Sequence, residues 1–225
     1  MLTTTTNAGL HDFVLNEVLP KYQRPGGRAI DLGAGPGALA ARLHANGWDV
    51  QAADRSLNGF QAGVPSAQAD FNRPDFASAL GGAVFDLVVS VEVIEHVESP
   101  VGFLRNIGRL LKADGVAILT TPNVDSLPAR VKFLLHGKIR TMDGASEPTH
   151  ISPIFWDLLW RQYLPLAGLK LVEHRVFPPR GFQLTRQFYA RVFRAMAPLF
   201  RGDSLVGDNH VLVLRKRSEE AREPS

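Results

Sequence analysis

The chain of 225 residues is 45% hydrophobic and 21% charged, ordinary globular values that exclude disordered, collagen-like and low-complexity classes and suit one domain. It has no cysteine, which excludes a disulfide scaffold, a zinc finger, an iron–sulfur cluster and a thiol nucleophile. A formal net charge of +3 is too mild to argue for nucleic acid. No run approaches the roughly 18–20 apolar residues of a membrane span. The stretch 1–9 is polar, with no basic region leading into an apolar core, so a cytoplasmic protein is expected.

In chain order, apolar residues at helical spacing (Leu10, Phe13, Val14, Val18) predict a helix within 10–22, broken by Pro25-Gly26-Gly27. Residues 28–32 read as a strand and 36–46 as a helix stopped at Asn46-Gly47. Residues 48–53 and 66–69 read as strands ending at Asp54 and Asp70, with a short helix between them. The run 84–91 is the clearest buried strand. A helix over 99–112 starts with Ser99 as N-cap and Pro100 at N1, and Asp114-Gly115 turns into the strand 116–121. Alternating near-continuous apolar strands and helices predict an α/β, doubly wound parallel sheet covered on both faces. Beyond it lie a basic apolar helix (127–140), a flexible stretch (141–148), an amphipathic helix (153–167) and a strand (169–177). A helix rich in Phe and Arg (182–200), a last strand (210–215) and a charged tail follow.

The sharpest motif is Ile30-Asp31-Leu32-Gly33-Ala34-Gly35-Pro36-Gly37, placed where a strand ends and a helix starts. Glycines there let the backbone turn sharply and approach a ligand without a Cβ, and the helix N-terminus adds unpaired N–H groups. The spacing is G-x-G-x-G rather than the dinucleotide pattern G-x-G-x-x-G, since position 38 is Ala38. That disfavours an NAD-dependent oxidoreductase. Asp31 is better placed for a ligand ammonium than for a pyrophosphate. Asp54, 21 residues after Gly33, can accept from both hydroxyls of a ribose, and Asp70 can meet an adenine amino group.

On these residues, together with Phe85-Asp86-Leu87-Val88-Val89-Ser90, Glu92-Val93-Ile94-Glu95-His96-Val97 and the Leu-Leu-Lys-Ala-Asp-Gly turn, residues 28–123 resemble a class I S-adenosylmethionine-dependent methyltransferase. The resemblance implies a Rossmann-like, mostly parallel seven-stranded sheet with C-terminal helical insertions, its last antiparallel strand supplied by 210–215. It implies that Asp31, Gly33, Ala34, Gly35 and Gly37 face the methionine part of the cofactor. Asp54 and Arg55 would hold the ribose, Asp70 and Phe71 the adenine, with further contacts from Ser90 and Glu92.

Glu92, Glu95 and His96 follow the fourth strand directly, and in a helical turn positions i, i+3 and i+4 share one face. Two carboxylates and an imidazole suit Mg²⁺, Mn²⁺ or Fe²⁺, with His150 as a fourth ligand. Alternatively, His96 or His150 takes a proton from an acceptor hydroxyl as general base, with Glu95 beside it. The Glu-x-x-Glu-His pattern resembles that of ubiquinone-pathway O-methyltransferases and of small-RNA 2′-O-methyltransferases. In the RNA enzymes it binds a divalent metal with a later histidine, and it also occurs in relatives not known to need one. Local pairing of the two glutamates without a metal is the favoured alternative. The remaining histidines (His11, His44, His136, His174, His210) read as surface or locally hydrogen-bonded residues.

The run Thr121-Pro122-Asn123-Val124, the basic helix and His150-Ile151-Ser152-Pro153 resemble bacterial methyltransferases of lipid-linked, quinone-like or sugar acceptors. The expected reaction is therefore methylation of a hydroxyl on a small, lipid-linked or sugar molecule. A metal-dependent RNA 2′-O-methyltransferase and a non-catalytic S-adenosylmethionine-binding protein are the alternatives. DNA is not expected as a partner, and no aromatic RNA-stacking motif is visible. Charge divides the chain: residues 1–127 carry −4, 128–164 carry +2 and 165–225 carry +5. The expected organisation is one methyltransferase domain over 1–225, with a cofactor-binding core (1–127), acceptor-side insertions and last strands (128–209) and a tail (216–225). An anionic membrane surface, if one is met, is met by residues 128–201.

Overall fold

Seven strands form one sheet in the order β3-β2-β1-β4-β5-β7-β6. The computed structural model describes residues 6–144, 148–185, 187–196, 198 and 204–217. The strands are β1 (Arg28–Leu32), β2 (Asp49–Asp54), β3 (Ser66–Gln68), β4 (Phe85–Val91), β5 (Leu111–Pro122), β6 (Leu169–Phe177) and β7 (Asn209–Lys216). β1 to β5 pair in parallel, and β7 lies antiparallel between β5 and β6. The strand expected over 210–215 is thus the antiparallel one, and the α/β, doubly wound, mostly parallel architecture is present. All seven residues of β4 are buried, as a central strand covered on both faces requires.

One face buries Ile30, Leu32, Val88 and Leu119 under α4 (Pro100–Leu110), with Phe76 and Phe103 fully enclosed. The other buries Ala29, Leu87, Val89 and Ile118 under α1 (Leu10–Phe13), its continuation to Tyr22, and α2 (Ala38–Ala45). α4 begins as the sequence predicts: Pro100 is in the first turn and Ser99 Oγ accepts from the Gly102 N–H at 3.2 Å. The helix within 10–22 forms as an α-turn, a π-turn (Val14–Val18) and a 3₁₀-turn (Leu19–Tyr22).

The short helix expected between β2 and β3 does not form. Residues 55–65 run through turns with Gly59 and Gly63 at φ +79° and +69°, and Pro65 enters β3. Left-handed glycines and a proline leave no helical register to propagate. β5 starts at Leu111 rather than at 116, because a register shift between Phe85 and Leu87 of β4 absorbs the Asp114-Gly115 turn. α5 (Leu127–His136) ends four residues short of 140. Gly137 adopts φ +64° and donates to the Phe133 carbonyl, a left-handed C-cap.

The amphipathic helix of 153–167 starts at Trp156, as α6 (Trp156–Leu158), a π-turn (Leu159–Tyr163) and α7 (Leu164–Leu166). α3 (Phe76–Ala79) precedes β4, and α8 (Gln187–Met196) buries none of its residues. The helix expected over 182–200 falls partly outside the described residues (186, 197, 199 and 200), as do Glu147 and the charged tail from 218 onward.

Candidate active site

β1 carries Asp31 into the centre of the sheet, between Ala52 of β2 and Val89 of β4, where it is 2% exposed. The chain then turns through Gly33, Gly35 and Gly37 at φ +80°, +51° and +93°, all left-handed. Two of these glycines serve packing. A Cβ on Gly33 would lie 2.3 Å from Val93 Cγ2, and one on Gly37 2.5 Å from Ala62 Cβ. A Cβ on Gly35 would meet nothing within 4 Å, so this glycine keeps open the space above the loop. Asp54, at the end of β2, accepts from the Gly35 N–H at 2.8 Å through Oδ2 and from the Ser56 N–H at 3.0 Å through Oδ1.

The loop floors a cavity of about 420 Å³. Asp31, Gly33, Ala34 and Gly35 line it on one side; Glu92, His96 and His150 line it on the other. Gly37, Asp54, Arg55, Asp70, Phe71, Ser90 and Glu95 are not on its wall. Asp70 is exposed and accepts from the Asn72 N–H of its own turn at 3.0 Å. Phe71 packs edge-on against Phe76 and Phe103. Arg55 is exposed, its carbonyl accepting from the Gln68 side chain.

Beside the loop, Asp31 Oδ2 and Ser90 Oγ are buried without a hydrogen-bond partner. Burial raises Asp31 to about 7; an Ala40 N–H pulls it down and the Asp54 charge pushes it up. A buried carboxylate with one oxygen left without a donor is costly. A ligand that brings an ammonium to Asp31 and passes over Gly35 removes that cost. S-adenosylmethionine has such an ammonium, so the donor set fits it.

Glu92, Glu95 and His96 do not share one helical face. Glu92 stands outside the 3₁₀-turn Ile94–His96, at φ +54°, and receives Asn209 Nδ2 at 2.6 Å. Glu95 is fully buried, receives Thr121 Oγ1 at 3.2 Å through Oε2, and leaves Oε1 without a partner. Burial, then the Glu92 charge, raises its carboxyl well above the ordinary range, and burial raises Glu92 as well. One Glu95 oxygen and ring nitrogens of His96 and His150 lie within 4.8 Å of one another. The two imidazoles meet edge to face with centroids 4.6 Å apart. His96 Nδ1 lies 3.1 Å from the Thr149 carbonyl, and His150 Nδ1 lies 2.8 Å from the Thr141 carbonyl. A carbonyl only accepts, so the Thr141 contact favours the hydrogen on His150 Nδ1 and leaves Nε2 basic, whereas His96 Nδ1 also lies 2.9 Å from the Thr149 hydroxyl, which donates or accepts and so suits either tautomer.

The cavity also draws on residues that the sequence did not single out: Thr6, Asn7, His11, Thr141, Leu184 and Asp208. Asn7 bridges to Asn209 Oδ1, and Asn209 in turn to Glu92, so the N-terminal segment is tied over the cofactor side. The one available signal was the polar run Asp208-Asn209-His210 opening an apolar strand. Neither His11 nor His210 lies open on the surface, and His210 is locally hydrogen-bonded, its Nδ1 3.0 Å from His174 Nε2. His11 lines the cavity and is lowered to about 4, by burial first and then Arg42. His210 is fully buried and is lowered to about 3, by burial first and then His174.

Residues 7–174 match the family described as a methyltransferase domain. A ubiquinone biosynthesis O-methyltransferase of Caulobacter sp. is 32% identical over 126 residues, covering 49% of this chain and 50% of that protein. One of Ruegeria pomeroyi is 29% identical over 194 residues, covering 76% of this chain and 75% of that one. The chain therefore spans about half the length of some of the curated relatives it matches. Among solved structures, a SAM-dependent methyltransferase from Archaeoglobus fulgidus superposes with TM-score 0.65 at 16% identity, covering 92% and 94% of the two chains. A 1,6-didemethyltoxoflavin-N1-methyltransferase from Burkholderia thailandensis, with bound S-adenosylhomocysteine, superposes with TM-score 0.56 at 18% identity, covering 89% and 75%. With the strand order 3-2-1-4-5-7-6, the strand-end glycine loop and a family match over residues 7–174, the chain belongs to the class I S-adenosylmethionine-dependent methyltransferases.

Proposed function

We propose that this protein transfers the methyl group of S-adenosylmethionine to a hydroxyl of a small or lipid-linked acceptor. The observation that carries this reading is that one cavity joins the cofactor loop to two histidines, His96 and His150, the second with its Nδ1 against the Thr141 carbonyl. Asp31 holds the ammonium of the methionine part, the open face of Gly35 admits the ligand, and Asp54 and Asp70 take the ribose and adenine ends. When bound, the cofactor supplies an electrophilic methyl on a sulfonium. His150 through Nε2, or His96, takes the acceptor's proton, so that the hydroxyl offers its lone pair as an alkoxide. The buried Glu95 lies beside this pair, one of its oxygens within 4.8 Å of a ring nitrogen of each. The names of the Caulobacter and Ruegeria relatives support oxygen as the methylated atom and a quinone-like, lipid-linked acceptor.

Residues 1–127 form the cofactor-binding core in this proposal, and 128–209 the acceptor side. No helix among the described residues is long and apolar enough to cross a membrane. We place the protein in the cytoplasm, with peripheral contact to an anionic membrane through α5 and α8. Leu134 and Phe188 are 82% and 72% exposed there, beside Arg130, Lys138, Arg191 and Arg194. A second reading follows from the 4.8 Å cluster: a divalent cation held by Glu95, His96 and His150. It predicts that chelation abolishes turnover, whereas the general-base reading predicts that chelation leaves it unchanged.

The test is transfer of a labelled methyl group from S-adenosylmethionine to a panel of a prenylated catechol, a polyprenyl-linked sugar and a short RNA. Label on the catechol oxygen supports the reading. Label on RNA alone would replace it.

A further inference from the structure

The acceptor-side wall contains a buried ion pair that the reading above does not use. Arg140 is 8% exposed and Asp208 2%. Arg140 Nη2 lies 2.9 Å from Asp208 Oδ1, an ion-pair contact that is not aligned as a hydrogen bond. The same guanidinium donates to Ser126 Oγ at 3.3 Å and to Thr185 Oγ1 at 3.1 Å. Asp208 Oδ2 accepts from the N–H groups of Gln183 and Leu184, and the Asp208 carbonyl accepts from the Asn123 N–H. The pair thus fixes the main chain at Arg140 against the ends of β5 and β7. Burying two charges adds little stability over an apolar pair of similar size. What a planar guanidinium fork adds is direction.

The residue that follows is Thr141, at φ +70°. A β-branched residue in the left-handed region is a genuine outlier and persists only where its surroundings hold it. Its carbonyl is the group 2.8 Å from His150 Nδ1. Thr141, His150 and Asp208 all line the cavity.

We propose that Arg140 and Asp208 are positioning residues: together they hold Thr141 in its left-handed conformation, so that its carbonyl fixes His150 as the Nδ1–H tautomer. The inference rests on the reading of His150 as proton acceptor. Lysine at 140 would keep the charge opposite Asp208 and lose the fork to Ser126 and Thr185.

The experiment is nitrogen-15 NMR of the histidine rings in the full chain with S-adenosylhomocysteine, for wild type and Arg140→Lys. The wild type should show His150 with Nδ1–H. Arg140→Lys should fold and bind S-adenosylhomocysteine with the wild-type affinity. In it the tautomer ratio of His150 should shift toward Nε2–H about tenfold, the weight of one ordinary hydrogen bond. If Arg140→Lys does not fold, Asp208→Asn, which keeps the main-chain hydrogen bonds of Asp208, takes its place in the same measurement. Nε2–H at His150 in the wild type, or an unchanged ratio in the folded variant, overturns the proposal. The underlying reading is judged separately: His150→Gln at wild-type turnover removes the proton acceptor, whatever the tautomer spectra show.

Discussion

Replacing Asp31 by Asn isolates the group on which the cofactor side turns. In the ligand-free protein burial holds the Asp31 carboxyl at about 7, against 3.8 as the ordinary value. Between these pH values the folded chain keeps a proton that the unfolded chain has released. Stability therefore falls as pH rises from about 4 to about 7. Roughly three pKa units at 1.36 kcal/mol each set the Asp31 share of this fall at about 4 kcal/mol. His210 works in the opposite sense. Its folded value of about 3 lies below the ordinary 6.5, so the unfolded chain takes up a proton that the folded chain refuses, and stability falls as pH drops from about 6.5. These two slopes oppose each other in the wild type, as do those of Glu95, raised by burial, and His11, lowered by burial. Asp31→Asn removes one of them, so its stability should rise steeply from pH 4.5 to 6.5. At pH 7.5 the variant should be more stable than the wild type by about 1–3 kcal/mol, because a buried amide without partners takes back part of the gain. Its affinity for S-adenosylhomocysteine should fall about 10- to 150-fold, the loss of one charged hydrogen bond. Urea titrations from pH 4.5 to 7.5 and calorimetry at pH 7.5 check both. A stability profile parallel to that of the wild type, or an unchanged affinity, would refute the assignment of Asp31.

Glycine substitutions should separate packing from ligand approach. Gly35→Ala meets no neighbour and should fold with a cost of about 1–2 kcal/mol, yet lose cofactor binding. Gly33→Ala and Gly37→Ala drive a Cβ to 2.3 and 2.5 Å from neighbouring carbons, and should lower the melting temperature far more in thermal scans. His210→Leu removes a buried imidazole whose Nε2 has no partner, and urea unfolding should then find the stability at pH 4.5 higher, relative to that at pH 7.5, than in the wild type. Sedimentation with vesicles containing anionic lipid should capture the protein at low salt and release it at high salt. Leu134→Asp and Phe188→Asp should weaken capture at both salt concentrations, and capture by neutral vesicles alone would contradict a role for the arginines and lysines.

Much of the cofactor half is legible because its signals are local. Period and burial along 84–91, Ser99-Pro100, and the glycine loop each involve residues within a few positions of one another, and each places its element to within a few residues. The break between β2 and β3 was also local, in Gly59, Gly63 and Pro65, and the expectation of a short helix there passed over it. The shared face expected of Glu92, Glu95 and His96 assumed α-helical spacing. A 3₁₀-turn with Glu92 outside it sends the two carboxylates to different partners, Asn209 and Thr121. The acceptor wall is set by contacts across the chain: Asn7 to Asn209, Arg140 to Asp208, and His150 to Thr141. Periodicity carries no trace of such pairings. The full burial of His210, beyond its local bond to His174, was hidden for the same reason: only the antiparallel insertion of β7 between β5 and β6 shows that a histidine opposite Thr121 must be buried.

The most direct test of the central claim is a calorimetric titration of the wild-type protein with S-adenosylmethionine at neutral pH, with NAD titrated in parallel. The account predicts one molecule bound per chain, binding lost in Gly35→Ala with the fold intact, and no heat from NAD. Absence of S-adenosylmethionine binding by folded wild-type protein, or tighter binding of NAD, would contradict it.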